Sequence, residues 1–183
     1  MIVCIDPGHG GPDPGAVGPD GTLEKHITLT VSKRLAEYLL RAGVDVVMTR
    51  QTDTDLAPGL DDAKELAARA KIANDAKADY FVSIHANAAG DEAANGFEVF
   101  HWPNSAKGIP LAQSIAKHFG IASGLPLRRV APATFAVLGY VVGPAVLVEL
   151  GFVTNKADRA LLKEPAWLDK CALGVAYGIL ARA

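Results

Sequence analysis

The sequence predicts a single-domain α/β layered fold with a mostly parallel sheet. Three observations carry that expectation. Strand-like and helix-like segments alternate along the chain with short connections. The runs Ile2–Ile5 and Ala145–Leu150 are almost continuously apolar, as expected of strands covered on both faces. The chain has 183 residues, 50% of them hydrophobic and 21% charged, enough for one sizeable core and too few for two large domains.

Ile2–Ile5 reads as the first strand, closed by Asp6-Pro7-Gly8 and followed by a glycine- and proline-rich loop to Gly21. A helix is predicted over Leu23–Ala42, because Ile27, Val31, Leu35 and Leu39 fall four apart on one face. Arg41 and Gly43 supply the basic last turn and the left-handed cap at its end. Val44–Thr49 is the second strand. A helix over Asp61–Ala76 turns Leu66, Ala70 and Ala73 inward, with Asp61 and Asp62 at its positive end.

Tyr80–Ile84 and Gly96–Phe100 are the next two strands, the latter alternating apolar and polar residues. A helix over Ser105–Phe119 is expected to stop at Gly120, and Leu125–Tyr140 reads as two short strands or loops. After the Ala145–Leu150 strand come a short helix over Lys156–Leu162 and a longer one over Trp167–Leu180. The second turns Leu168, Cys171, Ala172, Val175 and Ile179 inward. No internal repeat and no linker interrupts the pattern, so residues 1–183 are expected to form one domain.

The formal net charge is −2, and the densest basic cluster, Arg128–Arg129, is only a pair, so nucleic acid is not an expected partner. No stretch approaches the roughly 20 apolar residues that span a bilayer, so no transmembrane segment is expected. Met1 leads straight into Ile2–Ile5 without a basic region and long apolar core, so no signal peptide is expected either. That leaves cytoplasmic synthesis, export by other means, or a trimmed form. Cys4 and Cys171 lie in an apolar strand and on an apolar helix face, without ligand spacing, and are expected to be buried free thiols.

The chemistry lies where apolar strands end. His9 follows the first strand, His85 the third, and Glu149 sits near the end of Ala145–Leu150. Carboxyl ends of parallel strands share one sheet edge, where open α/β sheets bind ligands. With Glu24 at the start of a helix, the chain offers a minimal zinc-hydrolase set: three ligands and one carboxylate left for proton transfer. A glutamate inside so apolar a strand as Ala145–Leu150 costs free energy unless paired, protonated or bound to metal. Glu24 alone reads equally as a first-turn charge or a ligand, and nearby His26 competes for the ligand role. Gly8-His9-Gly10-Gly11 is not a dinucleotide loop, because Asp13 stands where that pattern needs glycine.

Several motifs in order resemble the catalytic domain of zinc-dependent N-acetylmuramoyl-L-alanine amidases of the amidase-3 family. These are Asp6–Gly10, Glu24–Lys25, Leu66 with Arg69, Ala73 and Asn74, Ser83–Asn87, and Val148, Glu149, Gly151, Phe152 and Asn155. The resemblance implies one zinc ion (Zn2+) on His9, Glu24 and His85, with Glu149 as catalytic acid/base. It implies a twisted, mostly parallel six-stranded sheet flanked by helices. It also implies peptidoglycan as substrate, cut at the amide between the lactyl group of N-acetylmuramic acid and L-alanine of the stem peptide. Action would then be extracellular, periplasmic or in the cell wall.

His26 then becomes a neighbour of the site, and His101 and His118 are non-catalytic. Thr28 stands where the family usually has asparagine and Gly139 where it usually has arginine, which makes Arg128 or Arg129 a candidate for recognising a substrate carboxylate. Regulated cell-division relatives carry an extra helix over the site. Here Ala88–Asn95 is too short for one and Pro103–Phe119 has room for a single ordinary helix, so an open site needing no activator is expected. Two other readings share the residues: a zinc carboxypeptidase or other peptidase, and a non-catalytic cell-wall-binding module with structural zinc.

Overall fold

A computed structural model describes residues 1–182. Six strands form one sheet in the order β2-β1-β3-β6-β4-β5. They are β1 Ile2–Pro7, β2 Asp45–Met48, β3 Tyr80–Asn87, β4 Phe97–His101, β5 Leu127–Pro132 and β6 Ala145–Phe152. Pairing is parallel except between β4 and β6. The helices are α1 Glu24–Arg41, α2 Asp62–Asp75, α3 Gly108–Ser123, α4 Ala136–Tyr140, α5 Lys156–Leu161 and α6 Pro165–Leu180. The expected α/β domain with a mostly parallel six-stranded sheet is the observed one.

Helices α1, α3 and α6 cover one face. Their apolar stripes (Ile27, Val31, Leu35 and Leu39 of α1; Leu168, Cys171, Ala172, Val175 and Ile179 of α6) pack on Val3, Ile5, Val82, Ile84, Val146 and Val148. On the other face Ala73 of α2 and Val137 and Leu138 of α4 bury Cys4, Phe81, Ala145 and Leu147. This double covering explains the unbroken apolar run of β6. Both cysteines are buried and free.

The structure corrects several boundaries. β3 and β6 run past their expected ends at Ile84 and Leu150, to Asn87 and Phe152, so that His85 lies inside its strand rather than after it, while Glu149 lies inside β6 as expected. α3 starts at Gly108 and passes through Gly120, ending at Gly124 in the left-handed conformation (φ 73°) that glycine accepts without strain. The ambiguous stretch after it is one strand, β5, and one short helix, α4. In α2, Ala70 and Ala73 are buried, but Leu66 is only partly so, because it lines a cleft.

Candidate metal centre

The parallel strands β1, β3 and β6 lie side by side, so their carboxyl ends form one edge. The chain leaves β1 through Pro7 and Gly8 and turns at His9, whose φ of 62° is a conformation few residues with a Cβ adopt. His85 of β3 and Glu149 of β6 are direct register partners. Glu24 is the first residue of α1 and is only 4% exposed. It does not serve as a cap: its carboxylate turns inward, Oε2 accepting from Ala16 N at 2.8 Å and Oε1 from Ala86 N at 2.9 Å. The same oxygens stand 3.1 Å from His9 Nε2 and 2.9 Å from His85 Nδ1.

One ligand atom from each of His9, Glu24 and His85 lies within 4.8 Å of the others. The set fits a zinc ion by its chemistry and its spacing. Two imidazoles and a carboxylate are borderline ligands of the right kind. Bonds of 2.0–2.2 Å in a tetrahedral shell put neighbouring ligand atoms about 3.3–3.6 Å apart, inside the 4.8 Å that bounds the three atoms here. His9 is further fixed by Asp13, whose Oδ2 is 2.6 Å from Nδ1 and whose Oδ1 accepts from Gly15 N at 2.9 Å. A carboxylate on the far ring nitrogen selects the tautomer that leaves Nε2 free for metal.

The charges fit the same picture. Burial opposes ionisation of Glu24, but hydrogen bonds and charge from His85 and His9 hold it well below the usual carboxylate range. Burial lowers the His9 proton affinity, and the hydrogen bonds to Glu24 and Asp13 outweigh it, raising the imidazole to about 9. Glu149 behaves in the opposite way. Burial, with the negative charges of Glu24 and Glu98, pushes it up to about 7 against the pull of His85. Its Oε2 is buried and has no hydrogen-bond partner among the described residues.

A second layer holds the loop that carries His9. Arg69 donates to Pro7 O at 2.7 Å, His9 O at 2.8 Å and Asp6 Oδ1 at 2.8 Å. Arg50 donates to Pro7 O at 3.0 Å and Gly8 O at 2.8 Å. Two buried guanidinium groups thus clamp three consecutive carbonyls. Asp6, fully inside the sheet, also accepts from Thr49 at 2.6 Å and Ser83 at 2.7 Å. Sequence reasoning missed the clamp. A carboxylate in the apolar strand β1 was the available signal, since it demands a buried partner.

His26 is exposed and 3.8 Å from Asp53, away from the triad. His101 Nδ1 meets Trp102 O, and His118 Nδ1 meets Ser114 O. Thr28 is buried and donates to Gly8 O at 2.8 Å while accepting from Arg50 at 3.1 Å, so it belongs to the clamp. Gly139 lies under the Trp102 ring, where an added Cβ would come within 2.7 Å. Arg128 and Arg129 both donate to Glu98.

A two-lobed cleft opens on the triad. One lobe, about 330 Å³, is acidic through Asp13, Asp55, Asp62 and Glu65. The other, about 300 Å³, is apolar through Leu66, Phe135, Val137 and Leu147, with Glu149 in its wall. His9 and His85 line both.

An α/β domain that gathers such a donor set at its carboxyl edge, beside the buried carboxylate of Glu149, has the architecture of a metal-dependent hydrolase. Residues 3–181 match the Amidase_3 family, described as N-acetylmuramoyl-L-alanine amidase, and the chain belongs to that family. It is 35% identical to the germination-specific N-acetylmuramoyl-L-alanine amidase of Bacillus subtilis, over 98% of this chain and 78% of that protein. It is 36% identical to the N-acetylmuramoyl-L-alanine amidase LytC of Bacillus subtilis, over 98% of this chain but 35% of that one. Among solved structures, the catalytic domain of CwlV, an amidase from Bacillus (Paenibacillus) polymyxa, superposes with a TM-score of 0.89. It is 35% identical, with 98% of this chain and 96% of that one covered.

Proposed function

We propose that residues 1–183 are a peptidoglycan amidase domain in which His9, Glu24 and His85 hold one zinc ion and Glu149 is the acid/base. The product pair would be N-acetylmuramic acid and a stem peptide with a free L-alanine amino terminus. The observation that carries the role of Glu149 is its place in the wall of the cleft as the register partner of His85, with no ion-pair partner among the described residues.

A zinc ion on these ligands supplies Lewis acidity, lowering the pKa of water and polarising the scissile carbonyl. Glu149, with an affinity for protons near neutrality, takes the proton of the attacking water on its carboxylate and delivers it to the departing amine nitrogen. Asp13 keeps His9 Nδ1 occupied, so that the ring presents Nε2 throughout. The apolar side chains of the lobe walled by Glu149 leave its buried carboxylate poorly solvated and keep its proton affinity high.

Among the described residues no helix lies in the segment between β3 and β4, and α3 packs against α6 on the opposite face of the sheet. We therefore expect activity without an activator, and action on wall polymer outside the cytoplasmic membrane. The experiment is digestion of purified peptidoglycan by the zinc-loaded chain alone, with mass spectrometry of the released fragments. Intact stem peptides beginning with free L-alanine, abolished by chelation, support the proposal. Cuts elsewhere in the peptide would make the chain a peptidase, and zinc binding without cleavage would make it a wall-binding module.

A further inference from the structure

A single polar row crosses the sheet face that α2 and α4 cover. His85 of β3 pairs in register with Glu149 of β6, Glu149 with Glu98 of β4, and Glu98 with Arg129 of β5. Side chains at paired positions of neighbouring strands point to the same face. Metal-site histidine, acid/base carboxylate, buried carboxylate and exposed guanidinium therefore lie in line. We propose that Arg129 is a specificity-determining residue, binding a carboxylate of the stem peptide two to three residues beyond the scissile amide. This rests on the amidase reading of the site and assigns the direction in which the peptide lies.

The distances support it. Strands in a sheet are about 4.8 Å apart, so two steps from β6 to β5 place Arg129 about 10 Å from Glu149. An extended peptide advances about 3.3–3.6 Å per residue, so that span corresponds to two or three residues.

The hydrogen bonding supports it as well. Arg129 donates through Nε to Glu98 Oε1 at 2.7 Å, and among the described residues neither of its Nη groups has a partner. Glu98, 2% exposed, does not need this second cation. Arg128 already donates to it at 3.1 Å, and Asn87 Nδ2 donates to its Oε2 at 2.8 Å. Arg128 is spent structurally: its guanidinium sits 4.9 Å over the Phe152 ring and donates to Asn95 O. The Arg129 side chain is 54% exposed, and its planar fork, anchored by Nε, is left to meet a carboxylate with both Nη groups.

Charge fixes which half of the substrate goes this way. The stem peptide carries the substrate's carboxylates. The lobe toward α2 is lined by Asp13, Asp55, Asp62 and Glu65 with a single guanidinium, Arg69, already paired with Asp6 and Glu65, and the acidic surplus repels them. The direction toward β5 carries two guanidinium groups against the one carboxylate of Glu98, a surplus of positive charge.

The test uses two synthetic muramoyl-L-alanyl tripeptides, identical except that the carboxylates of the second and third peptide residues are free in one and amidated in the other. Wild type should favour the free acid by about tenfold or more in kcat/KM, the range of a charge-assisted hydrogen bond. Arg129→Ala should erase that preference by raising KM on the free acid alone, and Arg129→Lys should keep part of it. Zinc affinity and Tm of the variants, measured in parallel, should match wild type. Equal loss on both peptides, or no preference in wild type, overturns the role of Arg129 while leaving the amidase intact. Failure of wild type to cut either peptide overturns the amidase reading, and this proposal with it.

Discussion

The imidazole of His85 lies directly on the Cα of Gly8. A Cβ placed there would fall 2.3 Å from Cε1 and 2.5 Å from Nε2 of the ring. Glycine is required at position 8 by this close approach. Gly8→Ala should push the ring away from Glu24 and the zinc position. Zinc affinity should fall about tenfold to hundredfold, the range for disturbing the support of a metal ligand. Equilibrium dialysis against a zinc buffer checks this, and wild-type affinity in the variant would show that the ring has room to move.

Glu149→Gln should keep zinc and lose turnover by about a hundredfold or more, the usual worth of a positioned acid/base. The pH profile adds a second readout. Glu149 must be ionised to accept a proton, so kcat/KM should rise with pH along an acid limb at or below the value of about 7 set by burial. A bound cation nearby favours the carboxylate and moves the limb downward. The residual activity of the glutamine variant should lack that limb. Its persistence would assign the titration to another group.

Much of this site was legible in the sequence because apolar strands reveal the polar residues they carry. His9, His85 and Glu149 stand out against β1, β3 and β6, and parallel strands bring their ends to one edge. Glu24 was not legible from composition or spacing, because a carboxylate in a first helical turn has a common alternative use. Only the tertiary turn of its side chain toward Ala16 N and Ala86 N separates the two. Strand ends are harder to read: β3 continues through His85 to Asn87 and β6 two residues beyond Leu150, because pairing persists where the apolar run stops. The lateral row to Arg129 depends on register between β6, β4 and β5, with β4 running against β6, and periodicity along one strand carries no information about its neighbour.

The buried Asp6–Arg69 pair supports the loop under His9 and should dominate its stability. Burial disfavours the Asp6 charge, yet Arg69 and the hydroxyls of Thr49 and Ser83 hold the carboxyl below its ordinary range. Arg69→Met leaves that charge without its cation and should cost about 3–5 kcal/mol. In a protein of this size that lowers Tm by roughly 6–20 °C. Adding Asp6→Asn should restore part of the loss. If the double variant melts no higher than Arg69→Met, the cost lies instead in the freed carbonyls of Pro7 and His9.

Zinc-free protein should lose stability as pH rises. The His9 imidazole moves from an ordinary value of 6.5 to about 9 in the folded chain, where Glu24 and Asp13 accept from it. A group whose affinity for protons is raised by folding stabilises fully below its unfolded value, and that contribution disappears as pH climbs through its folded value. The window is therefore pH 6.5 to 9. Glu24, shifted the other way, loses its contribution only on acidification and does not mask the effect. Chelated protein should show a falling Tm across that window, and Asp13→Asn should flatten the slope by removing one acceptor. Zinc-loaded protein should show little fall, because a metal ion replaces the proton between Glu24 and the rings, and its affinity should strengthen as pH rises. A Tm of chelated protein that stays level from pH 6.5 to 9 would separate His9 from Glu24 in solution and undo the preformed site.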